Sequence, residues 1–372
     1  MHIDMNTKFM LHIANLILMG LILSACRGVA QPSAPAETAT QAPADTKSEP
    51  QVLNFHNWDT YIDPAILTSF EKKYNAKINY TTYSSNAQLL EDVHANPDAY
   101  DLIVPTNDML EIMRREELLA PMNKANVPNL KNIDPSFLNT PYDPGNRYCA
   151  PYQWGTGGIG YNIKKTGREI TKWADLFDPA FEGRVAMLDD PRTPFAVVLL
   201  YLGYSPNTTN RLEVEQVRDF LIQHAKQIKT YTRNAGQDLL AKGDVDLTME
   251  WSGDMFQVMR KNPDLRYSIP EEGTIVWVDS ICIPTDAKHP ELAEKFINYL
   301  LEPEVGAALS NYIRYASPNQ AALPLINEAD RNNPALYPPE SLRKLMFFQA
   351  DLGPAVTAFY YEAWDEVIKT HK

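Results

Sequence analysis

From residue 52 onward the chain alternates short apolar runs with stretches at helical spacing, and this order constrains the fold more tightly than composition does. VLNFHNW reads as a strand. Asp63 and Pro64 supply an N-cap and a first helical position, and Ile66, Leu67, Phe70 and Tyr74 follow on one helical face. AKINYTTY returns to strand, NAQLLEDVHA to helix, and YDLIVP reads as a buried strand. Parallel strands need a crossover rather than a tight turn, so this β-α-β-α-β order predicts a parallel sheet covered by helices. TKWADLF, RVAMLD, VEQVRDFLIQHAKQI, VDLTMEW and ELAEKFINYLL continue the alternation, with no internal repeat. The folded part, about 320 residues, exceeds one layered sheet of this kind, so two α/β lobes are expected. Ligands of open α/β sheets lie beyond the carboxyl ends of strands, which directs attention to the segments after YDLIV, RVAMLD, DLTMEW and TIVW.

The N-terminal part follows a different logic. Residues 9–25, FMLHIANLILMGLILSA, form an apolar run ending in small residues, which reads as an export signal over 1–25 rather than a membrane span. Leu23 to Cys26, LSAC, resembles the bacterial lipobox, which makes Cys26 the expected lipidation site. Residues 26–50 are rich in Ala, Pro, Thr and Ser and lack aromatics, so they are expected to form a disordered tether. A soluble domain held by lipid at a membrane surface, periplasmic or extracellular, follows from this arrangement. The net charge of −13, without a basic block, argues against a nucleic-acid partner. Cys149 and Cys282 either pair outside the cytoplasm or remain inert thiols in strands.

Familiar enzyme and cofactor signatures fail on context. GTGGIG (155–160) matches G-x-G-x-x-G, but PYQW precedes it and a strand-like YNI follows, where a dinucleotide site needs a helix. Its glycines are better read as letting backbone approach a neighbour or a ligand closely. The histidines have no ligand-like spacing, so no metal and no cofactor is expected.

What remains is a repeated pairing of aromatic and acidic residues at strand ends. In IVWVDSICIP, Trp277 and Asp279 are two residues apart and share a strand face, and a buried carboxylate there requires a positive partner. NWDTY holds Trp58, Asp59 and Tyr61; MEWSGDMF holds Trp251 and Asp254; LDDPRTPF holds Asp190; YDLIVPTND ends in Thr106 and Asp108. Singly, such a tryptophan is core and such an aspartate a helix cap. Together, and without a basic counterpart, they describe a receptor for an organic cation: aromatic faces attract an ammonium by about 0.5–2 kcal/mol each and a carboxylate adds a charge-assisted bond.

These segments resemble the bacterial spermidine/putrescine-binding proteins of ATP-driven uptake systems. The resemblance spans about 52–372 and includes NWDTY, TYSSN, YDLIVPT, PYQWGTGGIGYN, KWADLFDPAFEG, LGYSPNTT, WSGD, WVDSICIP, YASPN and ALYPP in family order. It implies a two-lobed periplasmic-binding fold of type II, with a mixed sheet flanked by helices in each lobe. One lobe would comprise 51–156 and 278–324, the other 157–277 and 325–372. The resemblance makes Trp58, Tyr61, Trp251, Trp277 and Tyr315 aromatic contacts. Asp279 becomes the principal amine-binding carboxylate, Asp190 and Asp254 further acidic contacts, and Gln349 a polar contact. Thr106 stands where a serine is usual, Asp108 where an aromatic or other residue is found, and Thr193 where many members carry a glutamate; these departures bear on the choice among polyamines. The implied partners are a polyamine and the permease subunits of an ABC transporter, with a monomeric binding protein and no enzymatic role. The alternatives are a binding protein for another small cationic solute, or a ligand sensor feeding a signalling receptor. A carbohydrate-active enzyme also uses tryptophan platforms and paired carboxylates, but no acid/base pair is evident here.

Overall fold

The structure, a computed structural model, describes residues 49–233 and 235–371. The expected signal peptide, Cys26 and all but the last two residues of the expected tether lie outside the described residues. Strands β1 (Gln51–Trp58) and β2 (Ala76–Tyr83) pair in parallel, from Gln51 opposite Ala76 to Trp58 opposite Tyr83. The crossover between them is the helix Pro64–Tyr74, which begins where the Asp63 side chain accepts the Ala65 N–H and ends at Asn75 in the left-handed conformation. Ile66 and Phe70 are its buried residues.

The segment 100–105, predicted as a strand, is a correction. It is largely buried, yet it makes only isolated bridges, Leu102 parallel to Phe55 and Ile103 antiparallel to Cys282. It is wedged between neighbours running in opposite directions, and Pro105 at its end has no N–H to extend a ladder.

The larger sheet contains β3 (Cys149–Asn162), β4 (Val185–Leu188), β5 (Ile228–Thr232), β6 (Leu247–Trp251), β7 (Leu265–Ser268), β8 (Thr274–Cys282) and β9 (Met346–Phe348). Their order is β5-β4-β6-β3-β8-β9, with β7 also paired to β3. β4 runs parallel to β5 and β6, whereas β3 is antiparallel to β6, β7 and β8, so the sheet is mixed. β3 holds 14 residues, all buried except the last. Its first part pairs with β8, from Cys149 opposite Cys282 to Thr156 opposite Val276, and its second part pairs with β6 and β7. One continuous strand therefore carries the chain from one half of the molecule to the other, and GTGGIG lies inside it rather than at a turn.

Two hydrophobic cores flank this strand, giving a two-lobed α/β fold. Leu53, Phe55, Phe70, Leu102, Ile281 and Phe296 anchor the first. Trp173, Phe195, Val197, Leu247, Tyr360 and Trp364 anchor the second. A third group, including Trp154, Met255, Val276 and Val278, packs where β3 and β8 pass between them.

Of the two readings of the cysteines, the pairing is the one observed. Cys149 and Cys282 stand directly opposite with a Cα–Cα distance of 4.4 Å and form a disulfide, which ties the start of β3 to the end of β8. Among the described residues, no helix is long and apolar enough to cross a membrane.

Candidate ligand-binding site

β8 sets the centre of the site. Trp277 and Asp279 alternate with the buried Val278, so both project from the same face of the strand. Opposite Trp277 lies Gly155 of β3, where a side chain is excluded: a Cβ there would stand 2.4 Å from the Trp277 ring and 2.8 Å from Ser252 Oγ. The glycine in GTGGIG thus makes room for the indole.

The aromatic residues join into a wall. Tyr315, just after the helix Pro303–Ile313, meets Trp277 with centroids 5.1 Å apart and Tyr61 with centroids 5.4 Å apart, both edge-on. Trp251, at the end of β6, meets Trp277 at 6.3 Å and 87°. Trp58 is fixed by other neighbours: its indole N–H donates to the Val104 carbonyl at 2.8 Å, and its ring packs on Tyr83 at 4.7 Å.

The carboxylates fall into two groups. Asp279 is 5% exposed, its Oδ1 has no hydrogen-bond partner, and its backbone bridges to Thr106. Burial pushes its pKa up to about 8; the nearby charge of Asp108 adds to the rise, and the Tyr61 hydroxyl opposes it. Asp108, half-buried at the start of the helix Asn107–Arg115, accepts from the Thr106 hydroxyl, which itself accepts from Asn86 Nδ2 at 2.7 Å. Burial raises the Asp108 pKa, Thr106 and Arg192 counter that rise, and Asp190 reinforces it. Asp190 Oδ1 accepts the N–H groups of Arg192 at 2.8 Å and Thr193 at 2.6 Å, which holds the turn leading into the helix Thr193–Tyr201.

On the other side, Asp254 lies in the first turn of the helix Ser252–Met259. Burial raises its pKa, and a hydrogen bond from Tyr315 lowers it. Gln349 follows β9; its carbonyl accepts from Asn107 Nδ2 at 2.8 Å, while its own Nε2 is buried without a partner. Asp59 is exposed, in the turn after β1 where Thr60 has a φ of 54°. Ring contacts join Tyr61, Trp251, Trp277 and Tyr315, and hydrogen bonds, a backbone bridge or electrostatic interaction tie Thr106, Asp108, Asp190, Asp254 and Asp279 to one another or to those rings; Trp58 and Gln349 approach them only through Tyr83 and Asn107, and Asp59 faces solvent.

Two residues escaped the sequence reading. Arg192 supplies a cation beside Asp108, correcting the expectation that no basic group accompanies the carboxylates. Its guanidinium reaches the Ala350 carbonyl at 3.3 Å and lies over Tyr360. Glu250, fully buried in β6, stands one residue before Trp251. A glutamate inside an otherwise apolar strand was the signal for it.

Tyr61 Oη, Trp277 Nε1, Asp279 Oδ1 and Gln349 Nε2 are all buried and unpartnered. A buried polar group without a partner costs about 1–3 kcal/mol, so the atoms of this kind on Tyr61, Trp277 and Asp279 form a candidate receiving surface. A two-lobed fold with such a surface defines a solute-binding protein.

Comparison with known proteins agrees. The bacterial extracellular solute-binding protein family matches residues 65–336. The spermidine/putrescine-binding periplasmic protein of Salmonella typhimurium is 35% identical over 322 residues, covering 86% of this chain and 92% of that protein. A putative spermidine/putrescine ABC transporter structure from Listeria monocytogenes has a TM-score of 0.81 at 32% identity, covering 86% of this chain and 99% of that one. The TpPotD lipoprotein of Treponema pallidum has a TM-score of 0.77 at 27% identity, covering 85% and 99% respectively. The chain belongs to the bacterial extracellular solute-binding proteins, within the family of spermidine/putrescine-binding periplasmic proteins.

Proposed function

We propose that the protein binds a polyamine, putrescine or spermidine, between its lobes and delivers it to the membrane permease of an ABC transporter. The observation that carries this reading is Asp279: a buried carboxylate with an unpartnered oxygen, set among Tyr61, Tyr315 and Trp277. An ammonium group answers each feature, since it neutralises the charge, donates to the free oxygen and is attracted by the ring faces. The relatives named above, called spermidine/putrescine-binding, support the same ligand class.

The lobes we assign are 51–156 with 278–324, and 157–277 with 325–372. Without ligand, bringing Asp108, Asp190, Asp254 and Asp279 together costs desolvation and repulsion. A diamine or triamine offsets both while touching both lobes, and its stronger interaction with the closed form drives closure. The closed form is then the one the permease engages. The same carboxylates disfavour amino acids, whose own carboxylate meets like charge. In this reading the protein is a monomeric carrier, not an enzyme, and Cys26 carries the lipid that holds it at the membrane. The lipoprotein from Treponema pallidum supports such an anchor.

Thermal melting with putrescine, spermidine, spermine, cadaverine, choline, arginine and a sugar panel tests the ligand class. Polyamines are expected to raise Tm progressively as concentration exceeds Kd, while sugars leave it unchanged. A shift with choline or arginine and none with polyamines would refute the reading.

A further inference from the structure

β9 parts from β8 at a defined point, and one side chain spans the gap. The two strands pair in parallel from Met346 opposite Thr274 to Phe348 opposite Val276, and the ladder stops there. Past that point β8 continues into Trp277, Val278 and Asp279, while the other segment becomes an irregular strap, residues 349–353, that begins with Gln349. Asn107, 2% exposed at the start of the helix Asn107–Arg115, joins the two. Its Oδ1 accepts the Val278 N–H at 3.2 Å, and its Nδ2 donates to the Gln349 carbonyl at 2.8 Å. A carboxamide carries acceptor and donor on separate atoms, so one side chain satisfies both backbone groups where direct pairing has ended.

The same helix holds the strap at two further points. Glu111 accepts the Asp351 N–H at 3.2 Å, and Arg115 pairs with the Asp351 carboxylate. Asn107, Glu111 and Arg115 recur at every fourth position, which puts them on one face of the helix. Asn207, from a separate loop, donates to the Phe348 carbonyl at 2.8 Å and accepts the Ala350 N–H at 3.0 Å. The main chain around Gln349 is therefore held on both sides of that residue, while its Nε2 stays buried and unpartnered.

We infer that Asn107 is a positioning residue for ligand recognition. It acts through Gln349, whose main chain it ties to the strand that presents Trp277 and Asp279, so that the Gln349 amide meets the same polyamine as Asp279.

The inference rests on the polyamine reading, with Gln349 as a ligand contact, and the test separates the failures. Putrescine and spermidine are titrated calorimetrically into the wild type, Asn107→Ala, Gln349→Ala and the double variant. Gln349→Ala keeps the carbonyl that Asn107 holds and removes only the side chain being placed. Asn107→Ala is expected to raise Kd about tenfold in the wild type, and by less than about threefold once residue 349 is alanine. A side chain that only stabilised the fold would cost affinity equally in both backgrounds. Asn107→Asp serves if Asn107→Ala does not fold: it keeps the bond to Val278 and loses the one to Gln349, and its added charge acts alike in both backgrounds. Equal fold-losses in the two backgrounds, or an unchanged Kd in Asn107→Ala or in Gln349→Ala, overturn the inference. Absence of polyamine binding by the wild type overturns the proposed function itself.

Discussion

Asp279 shows how one residue can serve binding at the expense of stability. Its pKa lies near 8 in the folded protein, because burial disfavours its charge, against about 3.9 in an unfolded chain. The folded state therefore binds more protons than the unfolded one between those values. The stabilisation from this group is fully present below about pH 4 and is lost as pH rises through about 8. Ligand-free protein is expected to melt at lower temperature as pH rises across that window. Asp279→Asn is expected to weaken that dependence and to raise the ligand-free Tm at pH 8 by several degrees, since about 1 kcal/mol corresponds to ~2–4 °C. Differential scanning calorimetry of both proteins from pH 5 to 8.5 checks this, and equal pH dependence would contradict it. At this scale the aromatic and acidic residues were legible in the sequence because each pair sits within a few positions of a strand end. Glu250 and Arg192 were not, because their roles depend on partners distant in sequence, the Gly236 backbone for one and Asp108 for the other.

At the level of elements, β3 and β8 do most to place the site. Their register sets Gly155 against Trp277, so Gly155→Val is expected to displace the indole or shift the strand. Overpacking of this kind costs about 1–3 kcal/mol in stability. Polyamine affinity is expected to fall at least about tenfold, as a contact worth 1.4 kcal/mol or more is lost. Calorimetry and tryptophan fluorescence together detect both effects; unchanged Kd with unchanged emission would exclude the packing role. The disulfide joins residues separated by 133 positions, a long loop whose closure restricts the unfolded chain. Replacing both cysteines by serine is expected to cost about 2–5 kcal/mol, read as a lower denaturation midpoint with a steeper slope, because the uncrosslinked unfolded chain exposes more surface. Local sequence predicted β1, β2 and their crossover helix well, because caps, Pro64 and hydrophobic spacing act within one turn. The 100–105 segment was misread because its pairing depends on β8, far along the chain, and the pairing of the cysteines was undecidable for the same reason.

For the whole molecule, the alternation of strands and helices implied α/β lobes, and the length implied two. The mixed strand order and the passage of β3 between two cores were not contained in that alternation; they entered through resemblance to a family. The proposed site lies along the strands that cross between the cores, so occupancy and lobe closure are expected to be coupled. X-ray scattering is expected to show a smaller radius of gyration with saturating putrescine or spermidine than without, and an unchanged radius would remove closure from the account. Whether Asp279 receives an amine of a polyamine is decided by calorimetric titration of putrescine and spermidine into wild type and Asp279→Asn. One polyamine is expected to bind per wild-type molecule, and the variant is expected to lose affinity by about tenfold or more, the cost of one charge-assisted hydrogen bond. Equal affinity in the two proteins would contradict it.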